Sequence, residues 1–294
     1  ETKSVAYPSV GLSAILTDLL PIRSDVLTFL KLRGSYSEVG NAPTRYIAYQ
    51  THPYQSGTPS TTSTYPNSDI KPERTKAWEV GLQSRFWGDK LALNVSLYKT
   101  STFNQLFNPS LPSSSGYSSI YINGGQVDNK GIEASLSLNQ ALGPVEWNST
   151  LTYTINRNKI KKLLKPTTLK DGLLVEQDML DLDGVGNVKT RLFEGGSVGD
   201  LYVTALRTDE HGYIDVDYVN NTVSVDGNAG ERGDGWIYAG NSQAKYTMGW
   251  RNSFSWNGLT LGFLINARVG GVCVSMTQAL MDSYGTSKAT ADAR

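Results

Sequence analysis

Alternation of apolar with polar or small residues, repeated in segment after segment, constrains this chain more than any other feature of its sequence. In 8–16 the even positions Pro8, Val10, Leu12, Ala14 and Leu16 are apolar, and Ser9, Gly11 and Ser13 stand between them. In 28–38, Leu30, Leu32 and Tyr36 alternate with Lys31, Arg33, Ser35 and Ser37. A period of two marks a strand that offers one face to an apolar medium, and helical periodicity is rare here. Six further segments follow the rule in three pairs. Trp78, Val80, Leu82 and Phe86 precede Leu91, Leu93, Val95 and Leu97, joined at Gly88 and Asp89. Ile132, Ala134, Leu136 and Leu138 precede Val145, Trp147, Leu151, Tyr153 and Ile155, joined at Leu142, Gly143 and Pro144. Tyr246, Met248, Trp250, Phe254 and Trp256 precede Leu259, Leu261, Phe263 and Ile265, joined at Asn257 and Gly258.

A soluble β-sandwich, as in a binding module or adhesin, also alternates apolar and polar residues, so the lengths of the connections decide. Three are two or three residues long, whereas 39–70, 104–129 and 158–243 are long. Short turns at one rim and long loops at the other are the habit of outer-membrane barrels, and long structureless loops are uncommon in compact soluble domains. Composition fits this choice. Basic and acidic residues balance at 27 each, which argues against a partner bound through phosphate neutralisation such as a nucleic acid. No apolar run reaches the length of a transmembrane helix, which leaves a barrel open. The single cysteine, Cys273, excludes an internal disulfide framework and a thiolate metal cluster; it is expected to be a small buried residue.

Aromatic placement points the same way. Phe86, Trp87, Trp147 and Trp256 sit beside the short turns, where a membrane girdle belongs. Trp78 lies eight residues from Phe86 on the same face, roughly 20 Å vertically for a strand tilted by about 40°. If the strand at 145–157 leaves a short turn and the strand at 244–256 returns to one, the segment between must cross the membrane an even number of times. Zero crossings is simplest, so 158–243 is expected to be one large extracellular insertion. The expected fold is therefore an all-β, antiparallel transmembrane barrel contributing eight strands, and eight strands with such loops suit part of a wider barrel. The first residue, Glu1, is not a methionine, and the chain is expected to be a piece of something larger. Strand phase puts Lys31, Arg33, Glu79, Arg85 and Glu133 on the lumen side, where they would hold a plug or line a path by charge pairing.

At the level of specific strings, the chain resembles the SusC/RagA family of TonB-dependent outer-membrane transporters. LKLRGSYSEVGN (30–41), IKPERTKAWEVGL (70–82), YINGGQVDNKGIEASL (121–136), FEGGSVGDLY (193–202), YAGNSQAKYTMGW (238–250) and SMTQALMDSYGTSKATADAR (275–294) occur in family order. The pattern carried by Asn123, Gly125, Asn129, Lys130, Gly131 and Glu133 is shared by many TonB-dependent barrels, and the last string is more specific. The resemblance implies a 22-stranded barrel, 1–294 being its C-terminal portion cut at both ends, with a plug domain elsewhere in the protein. It also implies energy supplied through TonB, a lid lipoprotein of the SusD type, and import of oligosaccharides or oligopeptides.

Other motifs are weaker. Gly195, Ser197 and Gly199 match the spacing of a serine-hydrolase elbow, but a strand is expected to follow and only His52 and His211 could act as base, so no enzymatic activity is expected. Asp181, Asp183, Gly184, Gly186 and Asn187 resemble the start of a calcium loop, yet Val185 and Leu192 stand where ligands belong; no cofactor is expected beyond this possibility of calcium. The basic run Arg157, Lys159, Lys161, Lys162 and Lys165 lies where a strand would emerge outside and could meet lipopolysaccharide phosphates. Aromatic and polar residues in the first long loop (Arg45, Tyr46, Tyr49, His52, Tyr54) and the second (Tyr117, Tyr121, Asn123) are candidates to stack on or hydrogen-bond cargo, against the alternative that they pack loop on loop or on the lid. A helix is expected at 276–283.

Overall fold

The computed structural model describes residues 6–292 apart from 21, 23, 53, 60–62, 112, 164, 165, 169–171, 173, 176, 177, 183, 185 and 221. Eight long strands form one antiparallel sheet: β1 (Ser9–Ile15), β2 (Leu27–Asn41), β3 (Glu73–Phe86), β4 (Leu91–Phe107), β5 (Ile122–Leu142), β6 (Val145–Lys162), β11 (Tyr246–Trp256) and β12 (Leu259–Val269). They lie side by side in chain order. Between β6 and β11 the chain builds a second sheet of β7 (Met179–Asp181), β8 (Val188–Phe193), β9 (Asp200–Thr204) and β10 (Trp236–Asn241). Since β6 pairs directly with β11, this segment interrupts the large sheet without adding a strand to it. One helical turn, α1 (Leu16–Leu19), follows β1, and α2 (Met276–Ser283) and α3 (Lys288–Asp292) follow β12. Ser275 caps α2 by accepting from the Gln278 N–H at 3.2 Å.

The register converts the alternation into two unlike faces. One row across the sheet reads Ala14, Leu32, Leu82, Val95, Ala134, Tyr153, Met248 and Ala267, and another reads Leu30, Ser84, Leu93, Leu136, Leu151, Trp250 and Ile265. This apolar face is largely uncovered: Leu12 is 79% exposed, Leu261 70% and Val10 66%. A β-sandwich would lay a second sheet on it, and among the described residues none packs there, so the sandwich alternative fails. Leaving such a surface in water would cost about 25 cal/mol per Å², and its natural solvent is hydrocarbon. Among the described residues no closed barrel forms, because none of them pairs with the outer sides of β1 and β12. Strand edges of this kind cannot stand open in lipid.

Near the short turns the aromatics gather on the apolar face. Trp147 stacks on Phe254 with centroids 6.0 Å apart and planes 2° from parallel, and Phe263 lies edge-on to Trp250 at 6.0 Å. Two polar side chains sit among them, each with an indole donor: Trp147 Nε1 donates to Asn252 Oδ1 and Trp250 Nε1 to Ser149 Oγ, both at 3.0 Å. Glycines on the other face let large side chains lie flat on the sheet. A Cβ on Gly131 would overlap the Tyr98 ring directly across from it, and one on Gly81 would overlap the Arg33 side chain.

Two expectations need correction. Residues 104–129 are not one long loop: β4 runs to Phe107 and β5 starts at Ile122, leaving 108–121 between them. Cys273 is exposed rather than buried, because it lies in the irregular stretch between β12 and α2, where no element among the described residues packs over it.

Candidate functional site: the strand ends away from the short turns

Beyond the apolar rows, at the ends of the strands away from the short turns, the polarity of the two faces inverts. The row next to Val80, Leu97, Ile132 and Ile155 consists of Tyr36, Trp78, Lys99, Lys130 and Arg157, and the one beyond of Glu38, Lys76, Ser101, Asp128 and Lys159. The face that was apolar has become charged. On the opposite face, Val127 and Ile160 pair with each other and join Phe107, Ile122, Leu163, Leu180 and Leu192 in a buried cluster, with Val198 against it. The second sheet is thus held over the polar-face side of β5 and β6, and this is the main apolar core of the chain.

The glycine-rich run 194–200 stitches that sheet to the strands. The Ile160 and Gly195 N–H groups donate to the Gly196 and Ile160 carbonyls at 2.8 and 2.9 Å, and Val198 N–H donates to Asn158 Oδ1 at 3.0 Å. Asp200 accepts from Ser197 N–H at 2.7 Å and Asn241 Nδ2 at 2.8 Å, while Ser242 N–H donates to the Gly199 carbonyl at 2.8 Å. The Ser197 hydroxyl faces Asn158 at 3.4 Å, with no histidine beside it. The elbow-like spacing therefore serves as a staple between β6 and the start of β11, which physically accounts for the strings at 193–202 and 238–250.

Within the second sheet, Arg191 is buried, paired with Asp181 at 3.0 Å and Asp234 at 2.6 Å, and lies over the rings of Tyr202 and Trp236. Burial pushes the Asp234 carboxyl upward, but its hydrogen bond and charge pairing with Arg191 outweigh this and hold it below the usual range. The hydrogen bond from Arg232 does the same for Asp178. Asp181 also pairs with Lys189, so two cations already occupy the first carboxylate of the calcium-like run. Asp183 and Val185 of that run, and Lys165 of the basic run, lie outside the described residues.

The cargo candidates fall into two groups. Tyr46, Tyr49 and Tyr54 stand exposed in the first long loop, with Arg45 6.0 Å from the Tyr46 ring and His52 exposed nearby in sequence. Tyr117, Tyr121 and Asn123 are drawn instead against the second half of that loop. Tyr117 meets Tyr65 edge-on at 5.2 Å, and the Tyr121 carbonyl accepts from Asn67 Nδ2 at 2.9 Å. Asn123 accepts from Lys71 N–H at 2.6 Å and donates to the Lys71 and Asn104 carbonyls at 2.8 Å each. No ring contact joins the two groups among the described residues. Tyr65, Asn67 and Lys71, which line a small cleft with Asn104 and Asn123, were not singled out from sequence, because their role comes from pairing 64–65 with 119–120 and no local pattern announces it.

On the polar face, Arg33 lies across Gly81 to reach Glu79 at 3.2 Å and Ser96 at 2.6 Å. Glu133 sits directly across from Ser96 and lines the same open groove as Glu79. Lys31 lies two residues along β2 on the same side, and Arg85 reaches Asp89 at 3.4 Å while covering the Phe29 ring at 5.0 Å.

Residues 1–266 match the family model described as TonB dependent receptor-like, beta-barrel. The chain belongs to this family of TonB-dependent receptors. It is 27% identical over 297 residues to TonB-dependent receptor P3 of Formosa agariphila and 26% identical over 295 residues to TonB-dependent receptor P26 of that organism, covering 92% of this chain in both cases. Its fold is similar to that of the RagAB peptide transporter, with a TM-score of 0.68 over 90% of this chain at 22% identity. The chain spans 28% of the length of these two curated relatives and 29% of the RagAB chain. As a member of the TonB-dependent receptor β-barrels, it resides in the outer membrane and crosses it repeatedly. Membership in this family supports transport rather than catalysis.

Proposed function

We propose that the chain supplies eight consecutive strands of a 22-stranded, plugged barrel that imports oligopeptides or oligosaccharides through the outer membrane, energised by TonB and served by a SusD-like lid lipoprotein. The observation that carries this reading is the two-faced sheet: an uncovered apolar face toward lipid and a polar face toward the lumen. On this reading Lys31, Arg33, Glu79, Arg85 and Glu133 line the lumen or hold the plug. The second sheet, within 158–243, stands outside the cell and overhangs the barrel mouth; Arg45, Tyr46, Tyr49, Tyr54, Tyr117 and Tyr121 belong to the loops through which cargo arrives, and Asn123 lies beside them at the start of β5. The exposed tyrosines of the first group are the ones free to stack on it.

The test uses the full-length transporter in its own cells. Uptake of labelled oligopeptides and oligosaccharides is compared in the wild type, a deletion strain and a strain lacking TonB. Loss of one cargo class in both mutants is expected and names the cargo; uptake that survives without TonB points to a passive porin. Sidedness is read separately in a Cys273→Ser background. Tyr213→Cys, in the second-sheet segment, should react with an impermeant maleimide on intact cells, and Asn257→Cys, in a short turn, should not.

A further inference from the structure

Lys99, Lys130 and Arg157 come from three different strands, far apart in sequence, yet the register sets them directly side by side on β4, β5 and β6. Their backbone positions span about 10 Å at ordinary strand spacing. Like charges placed directly opposite one another destabilise a sheet, and an anion bound between them reverses that sign. Neutralisation from within the protein is partial. Lys99 reaches Asp128 at 3.8 Å, Arg157 donates to the Lys245 carbonyl at 2.8 Å, and Lys130 has no acid within ion-pair distance among the described residues. The next rows on this face add Lys76, Arg74 and Lys159, while the acids on it are Glu38, paired with Arg74 and Lys76, and Asp128. All three cations of the row are exposed.

What lies beside the row selects the ligand. Trp78 continues it on β3, and one step toward the short turns the same face becomes Val80, Leu97, Ile132 and Ile155. A ligand resting here meets cations at one end and an uncovered apolar wall at the other, with a tryptophan at the boundary as at membrane interfaces generally. We propose that Lys99, Lys130 and Arg157 form a binding site for the phosphorylated headgroup of an outer-leaflet glycolipid such as lipopolysaccharide, with its acyl chains lying along the apolar rows. Guanidinium and ammonium groups suit phosphate through charge-assisted hydrogen bonds. The proposal rests on the lipid-facing and outward orientation given above.

The experiment takes the full-length transporter, purified in detergent, and measures binding of purified lipopolysaccharide and of its phosphatase-treated form. The wild type is compared with the triple variant Lys99→Gln/Lys130→Gln/Arg157→Gln and with Lys90→Gln, at a short turn, as a charge-loss control; heat-dependent gel mobility checks that each barrel is folded. Expected is preference for the phosphorylated lipid, weakened by salt, and a loss on the order of 100-fold in the triple variant alone. Equal binding of both lipid forms, or an unchanged triple variant, overturns the proposal. So does a triple variant that keeps its lipid but loses a co-purifying protein, which would assign the row to an acidic partner. Maleimide labelling at Tyr213→Cys reports the orientation independently, so failure of the site and failure of the orientation are told apart.

Discussion

Asn123 spends its whole amide on backbone groups of two other segments, Lys71 and Asn104. It is thereby a clamp on the first long loop, whatever passes over it. Asn123→Ala should leave the strands folded and speed proteolytic cleavage within 42–72, since each lost hydrogen bond is worth about 1 kcal/mol. Gly131 gives a sharper test. Its missing side chain makes room for Tyr98 and also brings it close to the Ile155 carbonyl, so Gly131→Ala should destabilise the barrel by about 1–3 kcal/mol, seen as a lower transition temperature in heat-dependent gel mobility. Combining it with Tyr98→Ala should recover only part of the loss, because the carbonyl remains. Trp147→Phe keeps the stack on Phe254 but strips Asn252 Oδ1 of its donor inside an aromatic cluster; about 1–3 kcal/mol is expected, read by the same assay.

At the level of elements, the staple at 194–200 makes a distinct prediction. Asp200→Ala removes the acceptor that ties Ser197 to Asn241, and hydrogen exchange should quicken at 195–199 and 241–245 while β3, β4 and β5 stay protected. How far the elements were legible in the sequence follows from their surroundings. Where a strand offers one face to an apolar medium, nearly every second residue is apolar, so segments such as 78–86, Ser84 excepted, and 259–268 show themselves plainly. Outside that zone, β5 still alternates through Lys130, Asp128 and Val127, but its apolar side is now the one covered by the second sheet. A rule that follows one apolar stripe loses the strand at the inversion, which is why 122–129 and 104–107 read as loop. The cationic row was visible only in part: Arg157 stands in an evident basic run, whereas Lys99 and Lys130 join it only through register, which carries no local signature. Likewise the aromatic loop residues could be named, but their division into a clamped and an exposed group depends on contacts between distant segments.

For the molecule as a whole, the uncovered apolar face and the outer edges of β1 and β12, unpaired among the described residues, call for lipid and further pairing, so the full-length protein should need detergent for extraction and partition with outer membranes. The staple also bears on how fast such a sheet can assemble. Six of the seven strand pairs are joined by hairpins or modest loops, but β6 and β11 are separated by more than eighty intervening residues, 163–245. The penalty for closing a loop grows by only about 0.6 kcal/mol per doubling of length, so the burden falls on folding rate through contact order. Once the second sheet forms, Ile160 is held to Gly196 and Gly199 to Ser242, and the route from β6 to β11 shrinks to a few residues on either side of two backbone bridges. A segment that looks like an interruption in the sequence thereby acts as a folding template, bringing the last two strands within reach of the first six.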